Sequence, residues 1–221
     1  MRALVTGANR RTGIGHAIVH RLAAGGAHVF THGFGEGDVE VDVTADLADP
    51  EAPARLVAAA GSLDTLVVNH TVSEEGSLAQ LTAEQIDRHL AVNVRASLLL
   101  VQAFAAQFEG ESGSIVLLTS GAHLGPMPSE VAYAVSKGAL AVAVGTLAEE
   151  LAERHIRVNA LNPGPTNTGY LDGVDPGPRA PFGRWGEADD AARVVAWLCS
   201  NEGRWVTGQV IDSEGGFRRW R

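Results

Sequence analysis

Short runs of aliphatic and β-branched residues alternate along the chain with longer stretches in which alanine and leucine recur every three to four positions. The short runs at 2–6, 28–31, 39–43, 65–69, 114–119, 157–161 and 209–212 predict seven strands. The longer stretches at 14–24, 50–60, 82–108, 130–154 and 187–200 predict helices, and Thr82 with Gln85 three residues on has the pattern of a capping box. Strand and helix in regular alternation imply crossovers, hence an α/β fold: a doubly wound parallel sheet with helices on both faces. One domain over 1–221 is expected, since 221 residues at 45% hydrophobic content suit one large core better than two small ones. Only residues 32–38, with glycines at 33, 35 and 37, separate the second strand from the third, so that crossover is expected to be shortened and to lack its helix. Residues 172–181, rich in proline and glycine, read as an exposed loop.

Charge removes two classes of partner. A formal net charge of -9 argues against broad attraction to nucleic acid or an anionic membrane, either of which needs a basic face, and points to a small-molecule partner. Cys199 is the single cysteine, so no intrachain disulfide forms, and the N-terminus runs straight into a strand without a signal-peptide pattern; a cytoplasmic location is expected. The apolar stretch 131–148 is long enough for a membrane span, but Lys137 within it makes burial by protein the better reading. No metal site is expected.

Two patterns carry chemistry. Thr6-Gly7-Ala8-Asn9-Arg10-Arg11-Thr12-Gly13-Ile14-Gly15 joins the first strand to the first helix, where glycines let backbone amides approach a pyrophosphate at a helix N-terminus. Alone, it reads equally as a tight connection. The second pattern, Tyr133-Ala134-Val135-Ser136-Lys137, puts phenol and ammonium on one helix face. A cation about 4 Å away at an effective dielectric near 20 favours the phenolate by about 4 kcal/mol, about three pKa units, enough to bring a tyrosine into acid–base range. A surface tyrosine and a snorkelling lysine would show the same spacing. Ser120, thirteen residues before Tyr133, ends an apolar strand, where a turn cap is the competing role; Asn93 interrupts an apolar helix face, where a plain exposed polar residue is the alternative.

Together these residues resemble the short-chain dehydrogenase/reductase family over residues 2–217, and within it the 3-oxoacyl-carrier-protein reductase-like enzymes. The family's T-G-x-x-x-G-x-G turn is present with two inserted residues, so Gly7, Gly13 and Gly15 take the glycine roles and Ile14 opens the helix. The resemblance implies a Rossmann-like domain, a nicotinamide coenzyme and interconversion of a carbonyl and an alcohol. Ser120 would bind the carbonyl, Tyr133 would be the acid, Lys137 would lower its pKa and hold the nicotinamide ribose, and Asn93 would hold a relay water. Asp46 and Leu47 match the pair that meets adenine, and Asn69 matches the first residue of N-A-G, although His70-Thr71 replaces the small pair that follows. Pro163, Gly164, Thr166 and Thr168 fall in the segment expected at the nicotinamide carboxamide. No acidic residue follows the second strand at Thr31-His32, while Arg10 and Arg11 stand in the turn. NADP(H) is therefore expected over NAD(H), with Arg10, Arg11 and His32 as 2′-phosphate contacts; solvated loop side chains are the alternative. Pairing helices in relatives imply a homodimer or homotetramer, against full burial within one subunit. The partner implied is a small-molecule carbonyl or alcohol; the short segment 168–182 implies an open site able to admit a bulky or carrier-bound substrate, with poor substrate binding as the alternative. A nucleotide-binding scaffold with little activity is the other functional class.

Overall fold

The computed structural model describes residues 1–219; Trp220 and Arg221, the end of the expected domain, lie outside the described residues. Strands β1 (Arg2–Val5), β2 (His28–Gly33), β3 (Val43–Thr44), β4 (Thr65–Val68), β5 (Gly113–Leu118), β6 (Ile156–Asn162) and β9 (Val210–Asp212) form a seven-stranded sheet in the order β3-β2-β1-β4-β5-β6-β9. Every pair is parallel, with Leu4 opposite Phe30 on one side and Leu66 on the other. Helices cover both faces, as a parallel sheet requires. This is the expected Rossmann-like fold.

Alternation along the strands divides the core in two. Leu4, Leu66, Ile115 and Leu117 point into one layer with Leu56, Leu100 and Phe104 of α2 (Ala52–Ala60) and α4 (Ala96–Gln107). Ala3, Val5, Val67, Val116 and Leu118 point into the other with Ile18 and Leu198 of α1 (Ile14–Ala24) and α6 (Ala188–Cys199). Strand order reverses between β1 and β4, which opens a crevice at their C-terminal ends, the place where open α/β sheets bind ligands.

Three segments differ from the pattern-based expectation. The third strand is confined to two residues instead of spanning 39–43, because residues 38 and 39 bond elsewhere: their amides donate to the Asn9 carbonyl at 3.0 and 3.2 Å. Asp42 turns back to accept from the Thr31 amide and hydroxyl at 2.8 and 2.7 Å. The stretch 82–108 is continuous but not uniform: α3 (Ala83–His89), capped by Thr82 as expected, opens into a π-helical segment, Leu90–Arg95, before α4 begins. Ser97 Oγ takes the Asn93 carbonyl at 2.7 Å, filling a place that the wider turn frees. Finally, a two-stranded sheet of β7 (Thr166–Asn167) and β8 (Gly186–Glu187) ties down the loop after β6.

By length and composition Ala83–Gln107 and Val131–Arg154 could each cross a bilayer. Here their buried residues, Leu100, Phe104 and Val144 among them, join the core against the sheet.

Candidate active site

The crevice floor is the turn after β1. Gly7 has φ +68, and a Cβ there would lie 2.9 Å from His70 Cα. A Cβ on Gly15 would lie 2.6 Å from Asn69 Nδ2 and closer still to the Gly7 carbonyl oxygen. Asn69 spends its amide holding the turn, donating to the carbonyls of Thr6 and Gly7 at 3.1 and 2.9 Å. Helix α1 starts at Ile14 after Gly13 with no side-chain cap and no acidic residue in its first turn. Its leading amides therefore face the crevice uncapped, a cradle that fits the pyrophosphate of a dinucleotide.

The two inserted arginines are not equivalent. Arg11 is tied to Asp38, which accepts its backbone N–H at 2.7 Å and stands 3.8 Å from its guanidinium. That bond holds the Asp38 carboxyl below the usual range. Arg10 has no ion-pair partner among the described residues and is exposed. Asn9 fastens the turn to the shortened crossover, its Nδ2 donating to the carbonyls of Phe34 and Glu36 at 3.2 and 3.4 Å.

His32 is a correction. It is 1% exposed, with Nε2 donating to the Ala45 carbonyl at 3.0 Å, so it does not reach a 2′-phosphate at the rim. Burial lowers its pKa, which keeps it neutral. Leu47 is likewise core, leaving only its backbone for a ligand. Asp46 stays part-exposed, accepting from the Ala48 amide at 2.8 Å with Arg88 3.7 Å away.

On the other wall, Ser120 follows β5, with its hydroxyl 3.9 Å from Met127 Sδ, and α5 (Val131–Leu151) brings Tyr133 to its side and carries Lys137 one turn on. Lys137 Nζ is buried, donates to the Leu118 carbonyl at 2.9 Å, and lies 5.9 Å from the Tyr133 ring centre. The expectation that Lys137 depresses the tyrosine is not met in this arrangement. Tyr133 is pushed up to about 12, first by burial, then by the Glu130 and Tyr170 side chains, with the nearby Ser120 hydroxyl opposing. Burial pulls Lys137 down to about 8.

Asn93 side-chain Oδ1 accepts from the Val72 amide at 2.7 Å and from the Thr71 hydroxyl at 3.3 Å. Its Nδ2 donates to the Val72 carbonyl and to Ser136 Oγ, both at 2.9 Å, and Ser136 in turn donates to the Tyr133 carbonyl at 2.8 Å. A polar chain thus joins the π-helical segment to the tyrosine helix. After β6, Gly164 has φ +66 against Glu214, and buried Thr166 Oγ1 donates back to the Pro163 and Gly164 carbonyls at 3.3 and 3.2 Å. The Thr168 carbonyl accepts from Thr12 Oγ1 at 2.9 Å, closing this loop onto the glycine turn.

Sequence reasoning passed over Asn9, Thr12, Asp38, Glu130 and Ser136. Ser136, between Tyr133 and Lys137, and Glu130, three residues before Tyr133, lay close enough in the chain to carry a local signal; the others act on distant segments. Glu214 and Arg219, an ion pair packed over Gly121 beside Ser120, gave no signal either.

A family profile described as Enoyl-(Acyl carrier protein) reductase matches residues 7–218. An uncharacterized oxidoreductase of Bacillus subtilis is 39% identical, covering 98% of this chain and 96% of its own length. The L-xylulose reductase of Caenorhabditis elegans is 32% identical over 98% of this chain and 95% of its own. A crystal structure of a blue fluorescent protein from a metagenomic library, in complex with NADPH, is similar with a TM-score of 0.90 at 33% identity, covering 98% of this chain and 97% of that one.

Proposed function

The chain belongs to the short-chain dehydrogenase/reductase family, a nicotinamide-dependent oxidoreductase acting on CH–OH and C=O groups, and from that premise we propose a ketoreductase of the 3-oxoacyl-reductase-like type that uses NADP(H). The observation that carries the reading is the grouping of Ser120, Tyr133 and Lys137 on one crevice wall, with the Lys137 ammonium 5.9 Å from the Tyr133 ring centre and the glycine cradle opposite. When bound, the coenzyme supplies a hydride. Ser120 donates a hydrogen bond to the substrate carbonyl oxygen and so fixes where negative charge develops. Tyr133 gives its phenolic proton to that oxygen. Lys137 places a cation near the resulting phenolate, and the Asn93–Ser136 chain holds the tyrosine backbone in register. Pro163, Gly164, Thr166 and Thr168 wall the nicotinamide end, and Asp46 and the Leu47 backbone the adenine end. A panel of ketones, 3-oxoacyl thioesters and polyols with NADPH and NADP+ tests this by absorbance of the reduced coenzyme. Binding without turnover of any of them would return the chain to the scaffold class.

Protonation gives a pH signature. A phenol at about 12 keeps its proton across the working range, whereas an ammonium at about 8 loses its charge as pH rises through that value. Carbonyl reduction is expected to hold level near neutrality and to fall above pH about 8, measured as kcat at saturating coenzyme. A profile flat to pH about 10, where an unperturbed lysine titrates, would contradict the role given to Lys137.

Coenzyme choice rests on Arg10. Its exposed guanidinium has no ion-pair partner among the described residues, while Arg11 is paired with Asp38, so Arg10 is the cation available to a 2′-phosphate. A charge-assisted hydrogen bond contributes about 1.5–3 kcal/mol, so Arg10→Ala is expected to weaken NADPH binding about tenfold or more and Arg11→Ala less. NADH affinity should move little in either variant. Tighter binding of NADH than NADPH by the unaltered protein would reject the preference.

We also propose a homo-oligomer, a dimer or tetramer, in the cytoplasm. Val135 and Val142 on α5 are 59% and 83% exposed, and Leu98, Val101 and Leu147 line an apolar groove between α4 and α5. Apolar faces of this kind pair in symmetric oligomers. Light scattering on the purified protein reads the mass directly.

A further inference from the structure

His70 stands where a small residue is usual, and the structure gives it three neighbours of consequence. Its ring is buried between the glycine turn and the π-helical segment. Nε2 lies 3.0 Å from the Val92 carbonyl, an acceptor only, so Nε2 carries the proton. Nδ1 is then an acceptor and takes the Thr6 hydroxyl at 2.9 Å. The same Thr6 Oγ1 accepts from the amides of Asn69 and His70 at 3.0 and 3.2 Å. Thr6 immediately precedes Gly7, whose Cα has no room for a side chain because the His70 backbone lies against it. At the far end, the Val92 carbonyl belongs to the peptide that links directly to Asn93. Burial beside Lys137 drives the imidazole pKa down to about 3, so the ring is neutral at working pH and keeps this one tautomer.

We infer that His70 is a positioning residue that couples the coenzyme turn to the catalytic segment: a rigid strut from Thr6, at the mouth of the glycine cradle, to the peptide plane of Asn93. Ordering of the turn by coenzyme is transmitted through Thr6 and the ring to Val92, and fixes Asn93 and, through Ser136, the Tyr133 backbone. A small side chain at 70 would leave the Val92 carbonyl and the Thr6 hydroxyl without this link. The inference rests on the coenzyme reading above.

The test uses the full chain in three variants. His70→Ala removes the strut, His70→Phe keeps its volume without its hydrogen bonds, and His70→Gln restores one donor and one acceptor. The first readout is hydrogen exchange in Leu90–Arg95 with and without NADPH, which needs no turnover. In the unaltered protein NADPH is expected to slow exchange there; in His70→Ala and His70→Phe that response is lost while NADPH affinity changes less than about fivefold, one net hydrogen bond. The second readout is kcat at saturating coenzyme and substrate, expected to fall about tenfold or more in both, through misplacement of the catalytic groups, and to recover in His70→Gln. Should no carbonyl substrate turn over, the ketoreductase reading fails and the exchange result still decides the strut. The strut is overturned if bound NADPH leaves Leu90–Arg95 unprotected in the unaltered protein, or if the variants lose thermal stability alone, with the exchange response intact. Should His70→Ala not fold, His70→Phe carries the same comparison.

Discussion

Tyr133→Phe is expected to lower kcat by roughly 10²- to 10⁴-fold, the span that a positioned general acid contributes, while NADPH binding stays near that of the unaltered protein. The substitution removes one oxygen from a half-buried side chain and leaves the ring. Its aromatic packing is retained, and the polar chain from Asn93 through Ser136 ends on the Tyr133 backbone carbonyl, which the variant still has. Ser120 keeps its contact with Met127 Sδ at 3.9 Å. The expected signature is a collapse of turnover with an unchanged coenzyme titration, read by tryptophan-to-nicotinamide energy transfer. Turnover within tenfold of the unaltered enzyme would remove Tyr133 from the role of acid and shift attention to Ser120 or to a bound water.

Gly15→Ala is expected to act on the opposite wall and to show the reverse signature. The added methyl would press on the Gly7 carbonyl and on Asn69 Nδ2, the two groups that hold the turn in shape. The first is backbone, and the second, though a side-chain terminus, is held by hydrogen bonds to the Thr6 and Gly7 carbonyls. Relief requires the turn to open or α1 to slide, at a cost of about 1–3 kcal/mol for overpacking of this kind. Because the same amides form the cradle, coenzyme affinity should fall about tenfold to a hundredfold, one decade per 1.4 kcal/mol. Circular dichroism checks that the fold survives. Gly13→Ala is the informative contrast: its methyl would meet the Arg10 carbonyl at 3.0 Å, a milder contact, and the loss should be smaller. Equal losses in the two variants would show that crowding at Gly15 is not the cause.

These expectations draw on very different amounts of sequence information. The central strands were readable because they are buried on both faces: Leu66, Val67 and Val68, or Ile115 to Leu118, are apolar without interruption. The third strand was read too long because Val39, Val41 and Val43 alternate as a strand does, and nothing local reveals that Asp42 folds back on Thr31. The π-helical turn is invisible to periodicity, since it comes from bonds between Asn93 and a segment about twenty residues earlier. At the site, Tyr133 and Lys137 could be placed on one face from their spacing alone. Their protonation could not: the direction depends on how deeply each is buried, on Glu130, and on the Leu118 carbonyl that claims the ammonium. His32 misled for a related reason. A histidine at the end of an edge-side strand reads as exposed, and only the packing of residues 43–45 over it shows that it is not.

The contact between Asn9 and the loop 33–38 has a further consequence. Gly33 and Gly37 lie so close to Asn9 that a Cβ on either would come within about van der Waals overlap of its side chain, at 2.5 Å from Cβ and Nδ2 respectively. Two residues gained in one turn and a helix missing from the next crossover are thus complementary surfaces of a single interlocking unit. Neither half is transplantable on its own. A chimera that received the longer crossover of a relative would collide with the enlarged turn, and one given the shorter turn would leave the glycines of the loop facing a void. Exchanged together as a cassette, the two segments should carry their coenzyme selectivity into a related scaffold intact.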